Sequence, residues 1–204
     1  MIRFIKSYEA NKAKQHPVGM TATHHNATLF FSQADWVSPG GGGGYDYDPP
    51  AADGRKVVIS DTDHLFGTRN GGAAWVWKSL VRGLNPIYMD PLDSVSRRRE
   101  GARRAMGHAR AYAERMDLIH MAPRGDLASS GYCLANPGRE YLIYLPAGGK
   151  VAVDLSGPSW TFTAEWFNPD TAEIASGGAV AGGGRRSFEA PFSGHVVLYL
   201  VRTG

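Results

Sequence analysis

Two aspartates spaced two residues apart, Asp61 and Asp63, follow the apolar run Val57-Val58-Ile59, with His64 directly after them. A short apolar run that ends in carboxylates reads as a strand with its acidic residues at the C-terminal end. The two-residue period of a strand sets such a pair on one side. One of two carboxyls held there can serve as a nucleophile. Asp61 follows the run most closely and is the preferred nucleophile. A structural alternative stays open, in which Asp61 caps loop N–H groups and Asp63 pairs with Arg69 or His64. A second polar cluster, His24, His25 and Asn26, follows the apolar segment PVGMT. Imidazoles beside carboxylates can hold a metal, but no HExxH-type spacing is present. Hydrogen bonding of His24, His25, Asn26 and His64 to substrate hydroxyls is the preferred reading, and no metal or other cofactor is expected. Trp36, in a loop after Asp35, offers a flat face for stacking. Asp90 closes a further apolar segment, PIYMD, and suits either substrate contact or a salt bridge.

These residues need a scaffold, and the segments around them supply one. Pro17–Thr21, Lys56–Ser60 and Pro86–Met89 read as short buried strands. A helix ends near residue 13, another spans Ala73–Arg82 with Gly83 as its C′ residue, and the longest spans Ser96–Met116. In that last helix Ala102, Ala105, Met106, Ala109, Tyr112, Ala113 and Met116 recur at three- and four-residue spacing. Strand–helix alternation with carboxylates at strand ends is how a parallel (β/α) barrel builds its site. Trp75 and Trp77 lie on the second of these helices and read as packing residues. The run Gly40–Gly44 and the following YDYDPPAADG read as a loop that is costly to order. That run lacks the GxxxxGK[ST] pattern of a phosphate loop.

Beyond about residue 117 the pattern changes to short alternating segments punctuated by Gly, Pro, Asn and Asp, which reads as an antiparallel sandwich. In TFTAEWFNP, alternation assigns Phe162, Ala164 and Trp166 to one face. The expected fold class is therefore α/β plus all-β. Residues 1–117 form a partial barrel, its last three βα units, and residues 118–204 form a β-sandwich. The hydrophobic content of 43% fits a globular chain, and the net charge of +3 comes from a local cluster, Arg97, Arg98, Arg99, Arg103, Arg104, Arg110 and Arg115. Without interleaved aromatics or a nucleic-acid motif, that cluster reads as a solvated helix face and no nucleic-acid partner is expected. The single cysteine, Cys133, permits no intrachain disulfide and reads as a buried thiol. No signal-peptide core and no apolar run of about 18 residues is visible, so no membrane partner is expected.

The segments EYLIYLP, EWFNP and PFSGHVVLYL together resemble the domain called "putative collagen-binding domain". HPVGMT, ADWVSPG, VVISDTDHLFG and WVWKSLVRGLNPIYMDP resemble the closing third of the (β/α)8 barrel of DUF4038, or apiosidase-like, glycoside hydrolases. The resemblance implies a carbohydrate substrate, poly- or oligosaccharide, and a secreted or periplasmic parent protein. It says little about collagen as a ligand. It implies that PVGMT, VVISD and PIYMD are strands six, seven and eight, with the nucleophile on strand seven and the acid/base on strand four. The fourth strand is not in this chain, so the implied product is an inactive C-terminal fragment. The family's usual nucleophile is Glu, where this chain has Asp. The alternative is a stand-alone carbohydrate- or matrix-binding sandwich.

Overall fold

The computed structural model describes residues 1–21, 25–66, 72–89, 97–157 and 159–203. Helix α1 (Ile2–Glu9) leads to β1 (Gly19–Thr21), α2 (Asn26–Phe31), β2 (Trp36–Ser38) and β3 (Val57–Asp61). The short α3 (Thr62–Phe66), α4 (Ala73–Val81), β4 (Asn85–Ile87) and α5 (Arg97–Arg115) follow. The four strands form one sheet in the order β1-β2-β3-β4, and every neighbouring pair is parallel. Three co-directional strands lying side by side were expected. They are co-directional, but β2 stands between PVGMT and VVISD.

The register sorts the sheet's residues into two faces. Met20, Val37, Val58 and Ser60 share one face; Trp36, Ser38, Ile59 and Asp61 share the other. Val37, Val58 and Ser60 are buried in the helix-side core with Leu29, Trp75, Val76 and Trp77. Among the described residues the opposite face is partly open: Val57 is 54% exposed and Ile87 40%, whereas Ser38 is buried. Gly83 sits at φ +72°, the left-handed conformation that ends α4, and a Cβ there would lie 2.8 Å from Pro123.

The remaining strands are β5 (Ala122–Pro123), β6 (Cys133–Asn136), β7 (Glu140–Leu145), β8 (Lys150–Leu155), β9 (Thr161–Phe167), β10 (Ile174–Ala181), β11 (Gly184–Glu189) and β12 (Val196–Arg202). Six of them form an antiparallel sheet in the order β10-β9-β12-β7-β6-β5, and β11-β8 form a second, smaller sheet. The large sheet is a middle layer. Along β7, Tyr141, Ile143 and Leu145 enter the core shared with β8 and β11, while Leu142 and Tyr144 enter the core shared with α4 and α5. That explains why EYLIYL is buried throughout without polar alternation. Phe162, Ala164 and Trp166 of β9 share the first of these cores, as their spacing requires.

The seam between helices and middle sheet is aromatic. Trp77 of α4 lies 5.8 Å from Tyr112 of α5 and 5.9 Å from Phe167 of β9. Tyr112 Oη and the Arg115 guanidinium both donate to Glu165 Oε1, each at 2.8 Å. Burial alone would raise the Glu165 carboxyl, but the hydrogen bonds from Arg115 and Tyr112 outweigh it and hold it below the usual range. Cys133 is buried, and burial pushes its thiol up to about 12, which keeps it an inert packing group.

Candidate active site

At the C-terminal ends of the parallel strands, β3 delivers Asp61 and the first turn of α3 delivers Asp63 and His64. One ligand atom from each lies within 4.8 Å of the others. The Asp63 N–H donates to Asp61 Oδ1 at 3.3 Å, and His64 Nε2 stands 3.7 Å from Asp63 Oδ1. The other ring nitrogen, Nδ1, is 2.9 Å from Ser38 Oγ at the end of β2. Ser38 is 2% exposed. The Thr62 hydroxyl accepts from the Met89 N–H at 2.9 Å, which ties the exit of β4 to the same turn. Burial raises the Asp61 carboxyl above its ordinary range, and the Asp63 carboxyl adds to that; the Asp63 backbone N–H and His64 pull the other way without cancelling it.

The chemistry open to this set is proton transfer and nucleophilic attack by carboxyl groups. Two carboxylates and an imidazole are also metal-type donors. Here Nδ1 is held by Ser38, Nε2 faces Asp63, and Asp61 accepts from the Asp63 backbone. One imidazole nitrogen and one Asp61 oxygen are already engaged, and the arrangement fits an acid pair with a tethered imidazole better than a metal centre.

The remaining sequence-based candidates are placed differently. Asn26 grips the glycine run: its Oδ1 accepts from the Gly40 N–H at 2.9 Å and its Nδ2 donates to Gly40 O at 3.2 Å. Its carboxamide thus fixes the first half of the run, with Nδ2 also 3.4 Å from Gly42 O. His25 precedes α2 at its N-cap position and is exposed. Trp36 is not in a loop. It opens β2, is half-buried, and lies so close over Gly19 that a Cβ there would come within 2.0 Å of its indole. His24 and Asp90 lie outside the described residues. Ser38 was not anticipated; the only sequence signal was its place at the end of a three-residue strand.

The loop around residues 40–50 carries its own ties. The Trp75 Nε1–H donates to Tyr45 O at 3.0 Å, Lys78 Nζ to Tyr47 O at 3.0 Å, and Tyr132 Oη to Asp48 Oδ1 at 2.6 Å. The ordering cost expected from its glycines is offset by side chains from α4 and from the middle sheet.

Comparison with known proteins gives one partial family match and a likeness of fold. Residues 124–198 match the family described as "Putative collagen-binding domain of a collagenase". The chain is also similar in fold to glycoside hydrolases. A solved structure described as "Glycoside hydrolase" superposes with TM-score 0.63 at 13% identity, covering 97% of this chain and 60% of that one. A family 5 glycoside hydrolase from Bacteroides vulgatus ATCC 8482 gives TM-score 0.66 at 14% identity, covering 97% and 57%. A family 30 endoxylanase from Clostridium papyrosolvens C71 gives 0.50 at 9%, covering 99% and 60%. The chain thus spans about 60% of the length of such structures, and the likeness is one of fold. No curated protein matches the sequence.

Proposed function

We propose that this chain is the C-terminal part of a glycoside hydrolase-like protein of the DUF4038, or apiosidase-like, kind, acting on poly- or oligosaccharide. Residues 1–117 belong to its (β/α)8 barrel and residues 118–204 to its sandwich. The observation that carries this reading is the position of Asp61 and Asp63 at the C-terminal end of a parallel strand, where barrel enzymes hold their reactive groups. Counting back from β4 as the eighth strand makes β3 the seventh and β1 the fifth. Support comes from the partly open sheet face, because parallel sheets are normally covered on both faces. Further support is the superposition over 97% of the chain with family 5 and similar glycoside hydrolases.

Glycoside cleavage uses two carboxyls on either side of the bond. Asp61 and Asp63 sit on one wall, so a carboxyl from the opposite wall is required and the chain alone should not turn over. Aryl glycosides assayed with the purified chain should release no phenol above background. Release that disappears in Asp61→Asn would overturn the reading.

A second reading, a carbohydrate- or matrix-binding sandwich, is favoured by the family match to residues 124–198. The 40% exposed Trp160, with the Arg202 guanidinium 4.4 Å from its ring centre, also favours it. Retention of the chain on insoluble polysaccharide or on collagen tests it; passage through both removes it.

A further inference from the structure

Ser38 and the His64 ring take no part in the scheme above, yet they are the most tightly fixed groups beside the acid pair. Ser38 Oγ is buried and 2.9 Å from His64 Nδ1, so it is not presented to a substrate. The His64 backbone is fixed as well, its carbonyl accepting from the Gly41 N–H at 3.1 Å. Both ring nitrogens have directional neighbours, and these select one tautomer. With the proton on Nδ1, the Nε2 lone pair would face Asp63 Oδ1 at 3.7 Å and be repelled. With the proton on Nε2, that N–H faces the carboxylate and Nδ1 accepts from the Ser38 hydroxyl. The second arrangement gives Nδ1 a hydrogen bond and sets a donor rather than a lone pair toward the carboxylate. That N–H points its positive end at Asp63 Oδ1. Two carboxyls this close resist ionising together, and burial penalises the charged form of the half-buried Asp61, whereas Asp63 is exposed. Among the described residues, the strands flanking β3 add no charge here: β4 sets Ile87 beside Asp61 in register, and β2 contributes Ser38.

We propose that Ser38 and His64 are positioning residues for the acid pair: Ser38 fixes the Nε2–H tautomer of His64, which keeps Asp63 as the anion and leaves the shared proton on Asp61. The nucleophile expected from the sequence thereby moves from Asp61 to Asp63, and the acid/base carboxyl still comes from the opposite wall. This rests on the reading of the pair as the reactive carboxyls, but its test needs no substrate. Imidazole ¹⁵N and aspartate carboxyl ¹³C spectra of the full chain are recorded across pH. The wild type should show neutral His64 as the Nε2–H tautomer, and Asp63 should ionise at lower pH than Asp61. Ser38→Ala should mix the tautomers and narrow the gap between the two carboxyl titrations, and Ser38→Thr, which keeps the hydroxyl, should restore both. An Nδ1–H tautomer in the wild type would overturn the proposal without any variant, as would Asp61 ionising first. So would a Ser38→Ala protein that titrates like the wild type. Failure of the carbohydrate reading would leave these spectra unchanged, so the two outcomes are separable.

Discussion

Asp61 carries opposing demands: burial and Asp63 favour its neutral form, whereas surface aspartates are ionised at neutral pH. A group whose value is raised on folding contributes its full stability below the unfolded value, about 3.9 for Asp, and loses it as pH rises through the folded value. Asp61→Asn cannot ionise and keeps an oxygen to accept from the Asp63 N–H. It should therefore raise the thermal midpoint at neutral pH, with the gain fading below about pH 4, in melts followed by circular dichroism. Gly19 makes a second residue-scale case, because the Trp36 indole occupies the space of any Cβ there. Gly19→Ala should cost about 1–3 kcal/mol in urea denaturation, the range for overpacking, and much of that should return when Trp36→Ala is added. The acid pair with His64 was legible in the sequence because type, spacing and the preceding apolar run all pointed to a strand end. Trp36 was misread as a loop residue because three residues carry no period. The role of Asn26 was hidden because its partners are backbone atoms 14 and 16 positions away.

Elements with enough length to show a period were legible. The apolar spacing of α5 returned as buried Ala102, Ala105, Ala109, Tyr112 and Met116, and the alternation of β9 returned as two distinct faces. Strand β2 was missed, because WVS is followed at once by Pro39 and glycines that read as loop. What no local pattern conveys is how these elements meet. The fully buried Trp77 joins α4, α5 and β9 in one aromatic contact, so Trp77→Ala should cost about 3–5 kcal/mol in chemical denaturation. The Glu165 ties belong to the same seam. A carboxyl lowered on folding gives stability that is present above the unfolded value, about 4.3 for Glu, and lost as pH falls through the folded value. Glu165→Gln should destabilise by about 1 kcal/mol at neutral pH, an allowance for the partial exposure of Arg115, and by less in acid, as thermal melts at both pH values would show.

For the whole molecule, the middle sheet is the organising layer, covered on one side by β8 and β11 and on the other by α4 and α5. Among the described residues the parallel sheet is covered on its helix side and only partly on the other, and the acid pair stands at the rim of that partly open face. A change from strand–helix alternation to short strands was readable along the chain. The number of parallel strands was not, since it turned on one three-residue segment. The most direct measurement of the central claim is an amide ¹H–¹⁵N titration of the chain with soluble xylan-, glucan- and starch-derived oligosaccharides. A site at the strand ends predicts saturable shifts centred on Ser38, Asp61, Asp63 and His64, weakened in Asp63→Asn. Shifts confined to residues 118–204, or none with any of these sugars at high concentration, would contradict it.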